Sequence, residues 1–395
     1  MIRRILAARA LRAFADGFIS VVLPAYLLAL GLGQMEVGFV STATLLGSAF
    51  VTLAVGRWGH RFSIRRMLLT ASILMMASGL GFAGFNSLWP LLIVAFVGTL
   101  NPSSGDASVF LPLDHTMIAT ASADARTSLF ARYSFVGSIF GAVGSLAAGL
   151  PEWVSGHAGL SMLDGLRAMF VLYAAAGIGV WLLYRGLPDP TAGEERAAAP
   201  LGPSRKLVWR LAALFSVDSF AGGMILNSLL ALWLFQRFGM SLTAAGAFFF
   251  WTGLLAATSQ LLAPILARRI GLVNTMVFTH IPSSLCLIGA ALAQSLELAL
   301  GLLLIRSALS QMDVPARSAF VMSVVTPAER PAAASFTAVP RSLASAVSPT
   351  LTGAMFAAGA MAAPLVICGV LKIAYDVALF VAFRRTERRT ERRTE

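Results

Sequence analysis

The sequence predicts an all-α integral membrane protein with about twelve transmembrane helices. Of its 395 residues, 57% are hydrophobic and only 12% are charged, and the mean hydropathy is +0.79. A soluble domain carries about 25% charged residues. The apolar residues also gather in runs of about 20, the length of helix that crosses the hydrocarbon core of a bilayer. These observations exclude a water-soluble protein and leave little chain for a soluble domain.

The apolar runs fall into two sets of six, separated by a polar, proline-containing linker at 187–207. We therefore expect an N-terminal six-helix bundle at 1–186, a C-terminal six-helix bundle at 208–383 and a basic tail at 384–395. The expected spans are 11–30, 37–56, 67–85, 89–107, 127–149 and 166–185, then 208–235, 242–266, 272–293, 296–314, 331–357 and 363–383.

Basic residues lie between the spans and alternate from loop to loop. The chain has 30 Lys and Arg against 18 Asp and Glu, a net charge of +12. Cytoplasmic loops of membrane proteins collect Lys and Arg, so this distribution explains the charge without a nucleic-acid partner. Both termini are expected in the cytoplasm, with the lipid bilayer of a bacterial inner (cytoplasmic) membrane around the spans. The basic loops contain Arg3, Arg4, Arg9 and Arg12, then Arg57, Arg61, Arg65 and Arg66, and later Arg268, Arg269 and the repeats from Arg384.

The two halves of the chain repeat each other. Residues 126–149 and 330–353 both run from a loop arginine to a glycine, and Asp16 early in the first span corresponds to Asp218 early in the seventh. Two parallel halves joined by a linker are the arrangement of many secondary transporters. The repeat therefore predicts two pseudo-symmetric six-helix halves.

The loop after the second span reads GRWGHR from position 56, which resembles the Asp-Arg-x-Gly-Arg-Arg motif of the major facilitator superfamily. The match falls on Arg57, Gly59 and Arg61, whereas Gly56 stands where the family has an acid. The resemblance covers essentially the whole chain. It implies a transporter that exposes its cavity to each side of the membrane in turn, with a gating or structural role for the three matching residues.

The fifth span resembles the glycine-rich antiporter motif of the same family. Gly137, Gly141 and Gly144 carry the resemblance, and Ala142 replaces the proline of the motif. This partial match favours proton-driven export, and the alternative is that the glycines only let two helices pack closely. The family's arginine in the fourth span is absent. Arg306 occupies the repeat-related position in the tenth span and is a candidate for the substrate cavity.

Ionisable residues inside the spans are functional hypotheses, because a charge at the bilayer centre is costly. Asp16 with Arg132, and Asp218 with Arg341, are expected to give each half one acid and one base at matching depths. A proton carrier needs a buried carboxylate with a charged neighbour. Asp16 and Asp218 are therefore the proton-coupling candidates, and Arg132 and Arg341 are cavity candidates. The alternative is a pair of fixed salt bridges that only hold helices together.

Two more charge pairs are expected from helical spacing. Arg306 and Asp313 are seven positions apart, which places them on one face of a helix. Lys372 and Asp376 are four positions apart and are expected to form an ion pair with each other.

The end of the fourth span is polar and contains a proline, in the segment from Asn101 to Asp106. Asn101 and Asp106 there either line the cavity or only end the span. Asp114 is expected in the following cytoplasmic loop, where it bridges to Arg317 of the other half in one transport state. His280 is expected to be a buried histidine whose ring nitrogens are satisfied.

The function that these residues predict is secondary transport of a small solute, with protons as the coupling ion and efflux of a drug, toxicant or metabolite as the favoured direction. The alternatives are proton-coupled uptake, a receptor that binds without flux, and an unrecognised membrane enzyme. Neither lysine lies in a nucleotide-binding loop, and no hydrolase or metalloprotease motif occurs, so we expect no enzyme, no catalytic residue, no metal and no cofactor. A monomer is expected, and the sequence does not identify the substrate.

Overall fold

The computed structural model describes residues 1–103, 109–119, 123–188, 202, 204–326 and 329–394. The secondary structure of these residues is helical, and they contain no strand. The prediction of an all-α protein is confirmed.

The described residues of the first half form eight α-helices. Serine side chains begin two of them: Ser63 accepts a hydrogen bond from the amide of Arg66, and Ser161 accepts one from the amide of Asp164. Such caps satisfy amides that have no partner inside the helix. The helices are α1 Ile2–Ala29, α2 Gln34–Trp58, α3 Ile64–Gly84, α4 Leu88–Val97, α5 Phe110–Ala119, α6 Ala123–Leu146, α7 Leu150–Ala158 and α8 Met162–Arg185.

In the part of the second half that the structure describes there are also eight α-helices. Gly239 ends one of them and Gly271 separates two others, with φ of 62° and 89° that L side chains rarely adopt. The helices are α9 Arg205–Gly223, α10 Asn227–Phe238, α11 Leu242–Ile270, α12 Leu272–Leu292, α13 Leu296–Ser310, α14 Asp313–Val324, α15 Arg330–Ala357 and α16 Ala363–Thr394.

Ten helical segments of the described chain are long and apolar enough to cross a membrane. The predicted fourth and eleventh spans are not among them. The apolar helix at the fourth position, α4, has only 10 residues. At the eleventh position, α15 has 28 residues, but Ser, Thr and Arg341 dilute its apolar character. The exact count of twelve spans therefore stays a prediction.

The fourth and tenth predicted spans are both interrupted, and each continues in a second helix with proline in its first turn. Pro112 lies in the first turn of α5 and Pro315 in the first turn of α14. Proline is tolerated there because these amides have no partner inside the helix. The breaks place Asp114 and Arg317 on helices.

The described helices form two compact units. Unit 1 comprises Met1–Glu195, Leu226–Gly253 and Pro349–Gly359. In it, α1 packs against α6 and α8, and α3 packs against α8. The ring of Phe170 stacks on Phe82, with centroids 5.2 Å apart, and lies 4.6 Å from that of Tyr26. These rings form part of its apolar core.

Unit 2 comprises Arg196–Ile225, Leu254–Ser348 and Ala360–Glu395. Here α12 packs against α13, α14 and α16, and α16 packs against α9. Its core includes the buried side chains of Phe215, Phe320 and Tyr375. The predicted halves, 1–186 and 208–383, stay a prediction.

Candidate functional site

Asp218 is the centre of a buried charge cluster in unit 2. It lies on α9 and is 5% exposed. Its carboxylate accepts a hydrogen bond from Lys372 Nζ at 2.6 Å and one from Arg317 Nη1 at 2.9 Å. Lys372 belongs to α16 and Arg317 to α14. One acid on the first helix of the second half therefore holds two cations from two other helices.

His280 on α12 extends this cluster to a second acid. Its Nδ1 lies 3.1 Å from an oxygen of Asp376, and its Nε2 lies 3.4 Å from Lys372 Nζ. A lysine ammonium only donates, so Nε2 accepts and the ring proton is assigned to Nδ1, which donates to Asp376. In this assignment both ring nitrogens of His280 have a hydrogen-bond partner, which agrees with the expectation of a buried, satisfied histidine.

Each cation of the cluster also has a second acceptor within reach. Arg317 Nη1 lies 3.4 Å from Asp313 as well as 2.9 Å from Asp218. Lys372 Nζ lies 3.4 Å from His280 Nε2 in addition to its bond to Asp218. Polar contacts therefore run without a gap from Asp376 through His280, Lys372, Asp218 and Arg317 to Asp313.

Three partners expected from sequence spacing differ in the structure. Lys372 binds Asp218 rather than Asp376, because the neighbouring helix α9 brings a carboxylate closer than the next turn of α16 does. Arg341 was expected to pair with Asp218, but its Nε donates to the hydroxyl of Ser219 at 3.1 Å. The cations that bond to Asp218 are Lys372 and Arg317.

Arg306 and Asp313 are the third case. The helix that would have joined them ends at Ser310, and Asp313 begins the next helix, so their spacing of seven no longer places them on one face. Asp313 lies beside Arg317, and Arg306 lies near the thiols of Cys286 and Cys368.

Unit 1 holds a second buried ion pair, between Arg12 of α1 and Asp114 of α5. The two side chains are 2.5 Å apart and are 4% and 0% exposed. Asp114 also accepts hydrogen bonds from the hydroxyls of Tyr133 at 2.8 Å and Tyr184 at 2.9 Å. The sequence analysis expected Asp114 in a loop, whereas the structure places it on α5 and buries it against Arg12. The cytoplasmic location expected for both residues stays a prediction. The tyrosines inside predicted spans were the available signal, since buried tyrosine hydroxyls need a polar partner.

The remaining candidates of the first half differ in exposure. Asp16 is buried on α1, one turn after Arg12, and interacts electrostatically with Tyr173, whereas Arg132 on α6 is exposed. Their pairing stays a prediction. Asn101 is buried in the break after α4, where its side chain accepts from the amide and hydroxyl of Ser103. Asp106 lies outside the described residues.

The sequence and fold comparisons decide the family. A family model described as the Major Facilitator Superfamily matches residues 5–312 and, in a second match, residues 213–395. The chain belongs to the major facilitator superfamily. It is 25% identical over 410 residues to the "Uncharacterized membrane protein YJR124C" of Saccharomyces cerevisiae, covering 94% of this chain and 92% of that protein.

Solved structures of superfamily transporters share the fold. A mutant of the nucleoside transporter NupG gives a TM-score of 0.77 at 15% identity, covering 97% of this chain and 99% of that one. The xylose transporter XylE from E. coli gives 0.75 at 17% identity, covering 96% of each. The predicted fold class is confirmed, and the integral membrane location agrees with it. The bacterial inner membrane stays a prediction, since a relative occurs in yeast.

The superfamily loop motif is exposed in this chain. Arg57 lies in the last turn of α2, and Gly59–Arg61 forms a short 3-10 turn after it. The side chains of Arg57 and Arg61 are exposed and have no ion pair with another described residue. This agrees with Gly56 in place of the family's acid.

The glycines of the fifth predicted span lie against α1. A side chain on Gly144 would overlap the backbone oxygen of Phe14, and one on Gly17 would overlap the backbone oxygen of Gly141. A side chain on Gly137 would meet the guanidinium of Arg9. Close helix packing accounts for all of these positions, and an antiporter role stays a prediction.

Unit 1 also contains contacts between segments that are far apart in sequence. The carboxylate of Glu152 accepts bonds from the amides of Leu242 at 2.6 Å and Thr243 at 2.9 Å, which begin α11. The hydroxyl of Thr350 donates to that of Thr42 at 2.9 Å. Glu152 is favourable there because the N-terminus of a helix attracts negative charge.

Proposed function

We propose that this chain is a secondary transporter that moves a small solute across the membrane in exchange for protons, with Asp218 as the coupling carboxylate. Membership in the superfamily supports transport by alternating access. The observation that supports Asp218 is its place between two cations that each have a second acceptor, His280 for Lys372 and Asp313 for Arg317.

A coupling carboxylate must exist in two states, charged and protonated. With Lys372 and Arg317 bonded to it, Asp218 is held in its charged form. Because each cation has another acceptor nearby, both can leave Asp218 without becoming isolated in the low-dielectric interior, where an unpaired charge is costly. Asp218 then accepts a proton. Solute binding and the change of access shift the cations between these partners, which links the proton to the solute.

Asp16 is the second candidate for coupling. It is buried on α1 in the position that corresponds to Asp218 in the sequence repeat. We prefer Asp218 because it lies in a connected cluster of six polar groups on four helices, in which its cations have alternative partners.

The contacts of Glu152 support the proposal of alternating access. They join the α7 region, from the first half of the sequence, to the start of α11, from the second half. A change of access that separates the two halves at this end must break these hydrogen bonds. Both termini in the cytoplasm, a monomer and a location in the cytoplasmic membrane belong to the same proposal.

Export of a drug, toxicant or metabolite is the direction that we propose, and the glycines near Gly141 support it through their resemblance to the antiporter motif. Proton-coupled uptake on the same fold is the alternative. Growth of cells with and without the protein on a panel of toxic compounds selects a substrate, and a protected strain indicates export whereas a sensitised strain indicates uptake.

The decisive test uses that substrate in proteoliposomes. We expect Asp218→Asn to abolish accumulation driven by a pH gradient while solute exchange without a gradient continues, because exchange needs no proton release. Asp164→Asn, at an exposed acid beside Arg167, is the matched control and should behave as the wild type. Normal gradient-driven accumulation in Asp218→Asn excludes Asp218 and makes Asp16 the candidate. Binding of the substrate without any flux excludes transport.

A further inference from the structure

Two arginines of unit 2 have guanidinium groups that no carboxylate of the described chain neutralises. Arg341 on α15 is partly buried, and its Nε donates to the hydroxyl of Ser219 at 3.1 Å. Its two terminal amines have no hydrogen-bond partner among the described residues. A hydroxyl satisfies one donor and carries no charge, so the positive charge of Arg341 has no direct counter-ion.

Arg306 on α13 is the second of these arginines. It is partly buried, and no described carboxylate lies within 4 Å of it. Its electrostatic neighbours are the thiols of Cys286 on α12 and Cys368 on α16.

The charges of this region do not cancel. Among the described side chains of α9 to α16 within unit 2 that are not exposed, four are Lys or Arg and three are carboxylates. An uncompensated charge inside the membrane is costly, and binding an anion removes that cost. The cations are Arg306, Arg317, Arg341 and Lys372, and the carboxylates are Asp218, Asp313 and Asp376.

The two arginines differ from the other cations in what they can offer a ligand. Arg317 and Lys372 already donate to Asp218, at 2.9 and 2.6 Å. Arg341 and Arg306 keep donors that no described residue uses. A guanidinium presents its donors in a planar fork that matches the two oxygens of a carboxylate or phosphate.

We propose that the solute of this transporter is an organic anion, that Arg341 binds its carboxylate or phosphate group, and that Arg306 is a second cation of unit 2 available to the anion. The proposal rests on the transport function proposed above and adds the charge of the substrate. A bound anion near Arg341 also approaches the Asp218 cluster, so its negative charge competes with Asp218 for the cations. Solute binding then frees Asp218 to accept a proton.

Binding is tested without transport, by thermal unfolding of the purified full-length protein in phosphatidylcholine nanodiscs at constant ionic strength. The probes are phenylacetate and phenyl phosphate, with phenylacetamide and 2-phenylethylamine as neutral and cationic probes of similar shape. We expect at least one of the anions to raise the melting temperature and the amide and amine to have no effect. Stabilisation by the amine alone, or by none of the anions, overturns the proposal and leaves proton-coupled transport standing.

Variants assign the binding to the two arginines. Arg341→Gln and Arg306→Gln should each weaken the anion's apparent affinity by about tenfold or more, as expected for one lost charged hydrogen bond. Arg341→Lys should keep part of the affinity because it keeps the charge. Arg237→Gln, at an exposed arginine in the last turn of α10, is the control and should bind as the wild type. Equal affinity in all of these variants overturns the assignment.

If a variant binds none of the probes, its ligand-free melting temperature shows whether the arginine binds the ligand or only stabilises the protein. Removal of an uncompensated charge should leave the ligand-free protein as stable as the wild type or more stable. A marked loss of stability in both glutamine variants shows structural cations and overturns the proposal. A second set of nanodiscs with phosphatidylglycerol separates the two sources of anion. Stabilisation by this lipid that requires Arg306 and suppresses the effect of the soluble anions identifies a lipid headgroup, and overturns the solute assignment.

Discussion

The two units bury ion pairs of the same design and opposite polarity. In unit 1, the base Arg12 lies on the first helix and the acid Asp114 lies on the helix after the break in the fourth predicted span. In unit 2, the acid Asp218 lies on the first helix of its half and the base Arg317 lies after the break in the tenth. In both units the pair therefore joins the first helix to the helix after the break with the charges reversed, although Arg12 lies one turn before Asp16, the residue that the repeat matches to Asp218.

The surroundings of the two pairs differ more than the pairs themselves. The remaining acceptor sites of Asp114 are filled by the hydroxyls of Tyr133 and Tyr184, neutral donors. Asp218 instead holds a second cation, Lys372, which has His280 as another acceptor. A carboxylate bonded to one cation and to neutral donors forms a structural ion pair, which acts as a fixed brace between helices. A carboxylate between two cations with alternative partners can exchange them, which is why we assign structure to unit 1 and coupling to unit 2.

The largest expected effect is on the stability of unit 1. Asp114→Asn leaves Arg12 buried without a counter-charge, which should lower the free energy of unfolding by about 3 to 5 kcal/mol. Asp218→Asn should cost less, because Arg317 keeps Asp313 and Lys372 keeps His280. Both are measured by unfolding of the purified protein, with the exposed Asp164→Asn as a control expected to change it by about 1 kcal/mol or less.

The double variant Arg12→Gln with Asp114→Asn sharpens this test. It removes both charges, so it should recover much of the stability that Asp114→Asn loses. If Asp218→Asn is as destabilising as Asp114→Asn, the contrast between a brace and an exchangeable cluster is wrong, and both pairs are structural.

The sequence predicted the fold class because the spans are long apolar runs and because two halves repeat. It could not predict the partners of the buried charges. Helical spacing assigned Lys372 to Asp376, since only neighbours on one helix are visible in a sequence. The structure shows that Lys372 binds Asp218 on α9, and such pairs depend on how helices pack.

Helix breaks explain the other differences. The sequence analysis expected Asp114 in a loop after the fourth span, whereas the structure places it on α5, a helix with Pro112 in its first turn. Proline is compatible with the first turn of a helix, so a proline in the sequence does not by itself indicate a loop. The same break between α13 and α14 separates Arg306 from Asp313 and leaves Arg306 without a described carboxylate. Asp218 could be chosen as a candidate without knowing how the helices pack, because the repeat matches it with Asp16.

A second, smaller effect concerns the packing of α1 on α6. Gly144→Ala places a methyl group against the backbone of Phe14, which cannot move aside, and should lower the free energy of unfolding by about 1 to 3 kcal/mol. Gly222→Ala in unit 2 is the matched change, because only Lys372 Nζ lies near, at 3.9 Å. It should be nearly neutral in unfolding measurements.

The same variant distinguishes the two interpretations of the glycines. If they serve packing, Gly144→Ala reduces stability and transport together. A Gly144→Ala protein of normal stability that moves solute without responding to the pH gradient contradicts simple packing and supports the antiporter interpretation. Gly56→Ala, at an exposed glycine with open space around it, is the control for transport.

The smallest effect involves Glu329, a carboxylate held by neutral donors alone and lying outside the membrane spans. Hydrogen bonds from the hydroxyls of Thr326 and Ser204 and from the amide of Gly202 lower the pKa of Glu329 to about 2. Because this pKa is below the ordinary value of about 4.5, the stabilisation is fully present above about pH 4.5 and is lost as the pH falls through about 2. Glu329→Gln should therefore lower the melting temperature slightly and by a constant amount between about pH 8 and about pH 5, with the difference from the wild type closing only in stronger acid. A difference that already closes between about pH 8 and about pH 6 would show that Glu329 is held by something other than these neutral donors, and the distinction between fixed and exchangeable carboxylates would have to be drawn without it.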